Sequence, residues 1–308
     1  NRMDTLKPGR CRYGLMLKDD GMVFDDGVVA RITADHYHLT TTSGNAAAVM
    51  DWLEDWLQTE WPHLRVRLTS VTEQWAGVAV AGPDARQIVS RLAPEADLSN
   101  EALPHLAWTD AEVSTGQARI YRVSFSGEMG FEINVPWRQG QALWDAVTAA
   151  GAVPYGTEAM HVLRAEKGFI VVGHETDGTV TPHDLGMSWI VSAKKADFIG
   201  KRGLARPALV AKGRKQLVGL EPEDASVVLD EGAQIITDPN APPPTPMLGH
   251  VTSSYWSEAM GLGIAMALIK DGADRHGERL WAWSLGQAHS VRVRDPIFYD
   301  VEGVRMHG

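Results

Sequence analysis

Two carboxylates stand side by side in MVFDDGVVAR (22–31), between one apolar run and the next. With Gly27 they spell DDG, a turn signal in which both acids would act as caps. A strand would separate them instead: neighbours point to opposite faces, so one of Asp25 and Asp26 would face inward while the other met solvent, and from the local text the turn is the stronger reading. An inward carboxylate is costly unless it is paired, hydrogen-bonded or put to use. Glu166 poses a similar problem. Ala159, Val162, Leu163 and Glu166 fall at i, i+3, i+4 and i+7, which places an acid on the apolar stripe of a helix. It also lies in the last turn, where the macrodipole disfavours negative charge. A salt bridge from Arg164 or Lys167 is one answer, and a ligand offering amide-like N–H donors is the other.

Other chemistries find less support. His36 and His38 share a face of a short β-rich stretch but have no nearby third ligand, so no metal site is expected. GLGIAMA (261–267) lacks the third glycine of a dinucleotide fingerprint, because Met266 stands there, and no helix follows it. SFSGEMG (124–130) has Ser124 where a nucleophile elbow needs its first glycine.

The 308 residues exceed one comfortable core, and a formal charge of −10 argues against nucleic acid and anionic membranes as partners. No run approaches the length of a membrane span. Cys11 is the only cysteine, which fits a reducing, cytoplasmic setting. The opening NRMDTLKPGRCRYG reads like the middle of a domain, so the chain is expected to be a piece of something longer.

The elements that must position these groups follow from periodicity. Short strands broken by turns fill the first forty residues, and NAAAVMDWLEDWLQ (45–58) repeats its apolar positions at helical spacing. HLRVRL (63–68) alternates like a strand. WAGVAVAGPDARQIVSRL (75–92) reads as strand, turn and helix, with Pro83 at the helix entrance. Two strands around SGEMG (126–130) precede a helix over 141–151, and TEAMHVLRAEKG (157–168) is another helix closed by glycine. After about residue 210, six short strands suggest a small β-barrel or sandwich, with the proline-rich run 238–247 as a surface loop.

Taken in order, GRCRYGLMLKDDGMVFDDGVVARI, SFSGEMGFEINVP, GTEAMHVLRAEKGFIVVGHETDGTVTPHDLGMSW and HVTSSYWSEAMGLGIAMALI resemble the aminomethyltransferase (glycine-cleavage T-protein) superfamily. TTTSGNAAAVMDWLEDWLQTEWP and HETDGTVTPHDLGMSW are most similar to its branch in the C-terminal, folate-binding part of heterotetrameric sarcosine oxidase α subunits. The resemblance implies an α+β fold: a cloverleaf of mixed α/antiparallel β subdomains followed by a small C-terminal β-barrel. Subdomains are expected at 1–66 (truncated), 67–210 and 211–308.

The same resemblance implies capture by tetrahydrofolate of the iminium formed from sarcosine, giving glycine and 5,10-methylenetetrahydrofolate, with hydrogen peroxide made at a flavin. FAD, FMN and NAD would belong to the holoenzyme, and the partners would be the rest of the α subunit and the β, γ and δ subunits. Asp26 takes the catalytic position, beside the folate nitrogens. Tyr13, Val28, Phe125, Glu166 and Arg305 take folate-binding positions, with Glu166 at the amino-pyrimidine edge and Arg305 at the glutamate tail. Phe125 stands for a tyrosine, Ala30 for another, and Thr40–Thr42 for an asparagine-containing run. These departures weaken a transfer of glycine-cleavage activity and leave folate binding in place. A free-standing aminomethyltransferase-like enzyme and a non-catalytic folate-binding module are the alternatives.

Overall fold

The computed structural model describes residues 1–308. Its first sheet is an antiparallel meander of β1 (Cys11–Leu17), β2 (Val23–Arg31) and β3 (Tyr37–Leu39). The DDG stretch is therefore not a turn: β2 runs straight through it, and Asp25 and Asp26 pair with Met16 and Leu15 of β1. Gly27 answers to a different constraint. A Cβ there would lie 1.8 Å from the Thr40 carbonyl oxygen, so only glycine lets the 40–43 segment lie against β2.

Helix α1 (Ala46–Thr59) follows, and its Trp52 ring meets Phe24 of β2 at 5.5 Å. The strand expected at 63–68 is absent. Leu64 and Val66 are 45% and 51% exposed, because no neighbouring strand offers this alternating segment a ladder.

The second sheet has β4 (Trp75–Ala81), β5 (Ala107–Val113), β6 (Gly116–Arg122) and β7 (Gly130–Pro136) in the order β4-β7-β6-β5. Helices α2 (Ala85–Leu92) and α3 (Gly140–Ala149) cover one face. Val89, Leu92, Leu143 and Val147 pack there against Val80, Ile120, Phe131 and Ile133. The opposite face carries Tyr121, which joins Cys11, Ala30 and Val123 in a small core that binds the first sheet to the second.

Helix α4 (Thr157–Glu166) leads to a closed antiparallel barrel. Its strands are β8 (Lys215–Pro222), β9 (Gln234–Ile236), β10 (Met247–Ser257), β11 (Leu262–Lys270), β12 (Arg279–Ser284) and β13 (Gln287–Arg294). Strand β11 is apolar almost throughout because both faces are covered. Ala265, Ala267 and Ile269 fill the barrel, while Ile264, Met266 and Leu268 pack outward against Ala165, Ile170 and Leu185. The fold is thus α+β with a six-stranded C-terminal barrel, and no helix is long and apolar enough to cross a membrane.

The apolar stripe expected along α4 is not what the helix buries. Ala159 is exposed, and burial concentrates in the last turn, at Arg164, Ala165 and Glu166. That turn is pinned by an ion pair. Arg164 Nη1 donates to Glu175 Oε2 at 2.8 Å, with both side chains 0% exposed. Arg164 Nη2 also donates to Ser253 Oγ at 2.6 Å, and Glu175 Oε1 accepts from Thr252 and Ser253 of β10. Replacing Glu175 with glutamine leaves a buried cation without its counter-charge and is expected to cost about 3–5 kcal/mol. Losing the exposed Arg279–Glu223 contact should cost far less, because solvent screens it. Chemical unfolding of the two variants checks the contrast, and equal losses would refute it.

Candidate active site between the two sheets

Strand alternation sends the two aspartates of β2 to different places. Asp25 is 0% exposed. Its Oδ1 accepts from the Asp26 amide at 2.8 Å and the Thr42 amide at 3.4 Å, while Oδ2 has no partner. It therefore braces the backbone between β2 and the 40–43 segment. Asp26 shares the other face with Val28 and Ala30, whose cross-strand neighbours are Tyr13 and Cys11. From β1 the Tyr13 hydroxyl reaches diagonally to donate to Asp26 Oδ2 at 2.6 Å. Burial pushes the Asp26 carboxyl above its ordinary range, the Tyr13 hydrogen bond partly offsets this, and the Asp25 charge adds to it. Burial, reinforced by Asp26, likewise pushes the Tyr13 phenol up, so Tyr13 remains a neutral donor.

Asp26 opens onto a cavity of about 490 Å³, a size suited to a small organic ligand. Thr40–Ser43 form part of its lining, as do Phe125, Glu132, His161 and Val171. The Phe125 ring stacks near Phe169 with centroids 6.5 Å apart. Glu132 was not anticipated from sequence. It sits in the middle of β7, where Phe131 and Ile133 turn into the core and period-2 alternation sends Glu132 to the opposite face. Burial pushes its carboxyl up as well. A lone acid alternating with apolar residues is the pattern of any strand with one solvated face, so the sequence carried no distinguishing signal for it.

The other expected positions lie off this lining. Val28 packs at the edge of the core joining the two sheets. Glu166 is buried, but Arg164 and Lys167 pair elsewhere, with Glu175 and Asp300. Its Oε1 accepts from Ser257 Oγ at 2.6 Å, and burial pushes its carboxyl up. Arg305 donates to Glu128 in the turn after Phe125 and is 40% exposed. His36 is exposed, and His38 Nδ1 lies 2.8 Å from the Tyr121 hydroxyl. No three His, Cys, Asp or Glu side chains are placed to hold a metal ion. A larger groove of about 910 Å³ runs past Trp52, Trp56 and Trp61, and none of the site residues expected from sequence line it.

Comparison with known proteins agrees with this architecture. Residues 1–195 match the GCVT N-terminal domain, and residues 215–300 match the glycine cleavage T-protein C-terminal barrel domain. The chain is 50% identical over its whole length to the sarcosine oxidase α subunit of Corynebacterium sp. strain U-96, and 42% to that of Rhizobium meliloti. It spans only 33% and 32% of those relatives, about a third of their length. With an aminomethyltransferase of Cupriavidus taiwanensis it shares 30% identity, covering 96% of this chain and 75% of that one. The crystal structure of glycine cleavage system aminomethyltransferase T from Bartonella henselae superposes with a TM-score of 0.82 at 22% identity. That alignment covers 96% of this chain and 78% of the other, a likeness of fold. Two domain matches in order, on an α+β body closed by a barrel, place the chain in the glycine cleavage T-protein family, alongside the sarcosine oxidase α subunits.

Proposed function

We propose that this chain is the folate-dependent part of a sarcosine oxidase α subunit. It would capture the one-carbon unit of oxidised sarcosine and yield glycine and 5,10-methylenetetrahydrofolate, with hydrogen peroxide made at a flavin elsewhere in the assembly. FAD, FMN and NAD would be held by the remainder of the α subunit and by the β, γ and δ subunits. The observation that carries this reading is Asp26, fixed by Tyr13 and opening onto a pterin-sized cavity that also holds Glu132.

Tetrahydrofolate supplies the N5 and N10 nitrogens that take up the one-carbon unit. Asp26 stabilises positive charge at that centre and holds or relays the proton released there, a role suited by its raised carboxyl. Tyr13 and Val28 fix the face of the sheet from which Asp26 acts. Glu132, rather than Glu166, accepts the paired N–H donors of the amino-pyrimidine edge, because it is the second acid on the cavity lining. Phe125 offers a ring for stacking, and Arg305, held beside its turn by Glu128, meets the glutamate tail. Glu166 keeps the barrel against α4 through Ser257.

Folinic acid should raise the melting temperature of the intact enzyme through linkage. Asp26→Ala should keep that shift and still oxidise sarcosine, but release formaldehyde and lose at least about a hundredfold in 5,10-methylenetetrahydrofolate formation. An unchanged yield would remove Asp26 from the mechanism. Glu132→Gln should weaken folinic acid about tenfold, and isothermal titration checks it against Glu166→Gln, which should bind normally.

The Asp26 carboxyl titrates higher in the folded state than unfolded. Its contribution to stability is therefore present below the unfolded value and lost as pH rises through the folded one. Asp26→Asn should accordingly gain stability over the parent at pH 7 but not at pH about 3. A gain of the same size at both pH values would contradict this.

A further inference from the structure

The cavity beside Asp26 is acidic in a particular way. Asp26 from β2 and Glu132 from β7 both line it, and no lysine or arginine does. The proposed donor is zwitterionic: its iminium suits Asp26, but its carboxylate needs an N–H or O–H donor away from both acids. His161, on α4, is the one lining side chain that has a ring or amine nitrogen. Its ring lies nearly parallel to Tyr255, at 6.4 Å and 6°, and 5.6 Å from the ring of His174. The His161 Nδ1 is buried with no hydrogen-bond partner. The Ser124 hydroxyl, in another lining residue, is also without a partner.

We propose that His161, through Nε2–H, forms the subsite for the carboxylate of the amino-acid donor. This assignment rests on the folate reading. It makes His161 a specificity-determining residue, one that separates donors bearing a carboxylate from amines without one. His161 comes from α4 and the two acids from β2 and β7, so the two charges of the donor would be read by different elements of the fold.

The test uses the full-length enzyme with its partner subunits, loaded with folinic acid, and the probes glycine and methylamine. Glycine should raise the melting temperature of the parent in a saturable way. In His161→Ala its apparent affinity should fall about tenfold, while the folinic acid shift and any effect of methylamine stay as in the parent. His161→Gln, which restores an N–H donor, should recover most of the glycine affinity. Unchanged glycine affinity in His161→Ala overturns the subsite while leaving the folate reading intact. Loss of the folinic acid shift in His161→Ala alone also overturns it, because His161 would then serve the pterin. No folinic acid shift in the parent sinks the folate reading and this inference together.

Discussion

The pair Arg164–Glu175 holds three parts of the molecule at one point: the last turn of α4, the segment 169–176 and strand β10 of the barrel. Burying a guanidinium and a carboxylate at 0% exposure is costly unless each remaining donor and acceptor is used. Here most of them are, by Ser253, Thr252, the Phe169 carbonyl and the Val171 amide. The arrangement matters for the site because α4 also carries His161, and the 170–172 segment forms part of the cavity lining. A barrel that does not itself line the cavity thus fixes one of its walls.

The cavity is assembled by alternation. In β2 and β7, successive side chains divide between an apolar core and the space between the sheets, so one acid from each strand arrives there without disturbing the packing behind it. Asp25 and Phe131 look the other way, one bracing backbone amides and the other filling a core. Tyr13 then sets the character of Asp26. By donating a hydrogen bond it steadies the charged form that burial opposes.

Much of this was legible in the sequence, and the failures share a cause. The helices around Trp52, Leu143 and Leu163 and the six barrel strands follow from periodicity, which is local. HLRVRL has the right alternation but no neighbour to pair with, and neighbours are not a local property. The DDG stretch misled in the same way: its glycine looked like a turn until Thr40, thirteen residues on, proved to lie over it. Glu166 drew attention because it sat on an apolar stripe, and it is buried against a serine on β10, a neighbour that local spacing does not reveal. Glu132 went unnoticed because nothing local distinguishes an acid facing a cavity from one facing water.

Gly27 carries a further consequence. Since the Thr40 carbonyl occupies the space where its side chain would be, the threonine segment and the acid-bearing strand cannot drift apart or slide independently without opening a gap. The neighbouring carboxylate thereby inherits its rigidity from an atom it never touches. Evolution could retune this acid by exchanging the residues around it, but the glycine next to it leaves almost no latitude: the freedom of one position is spent on the immobility of another.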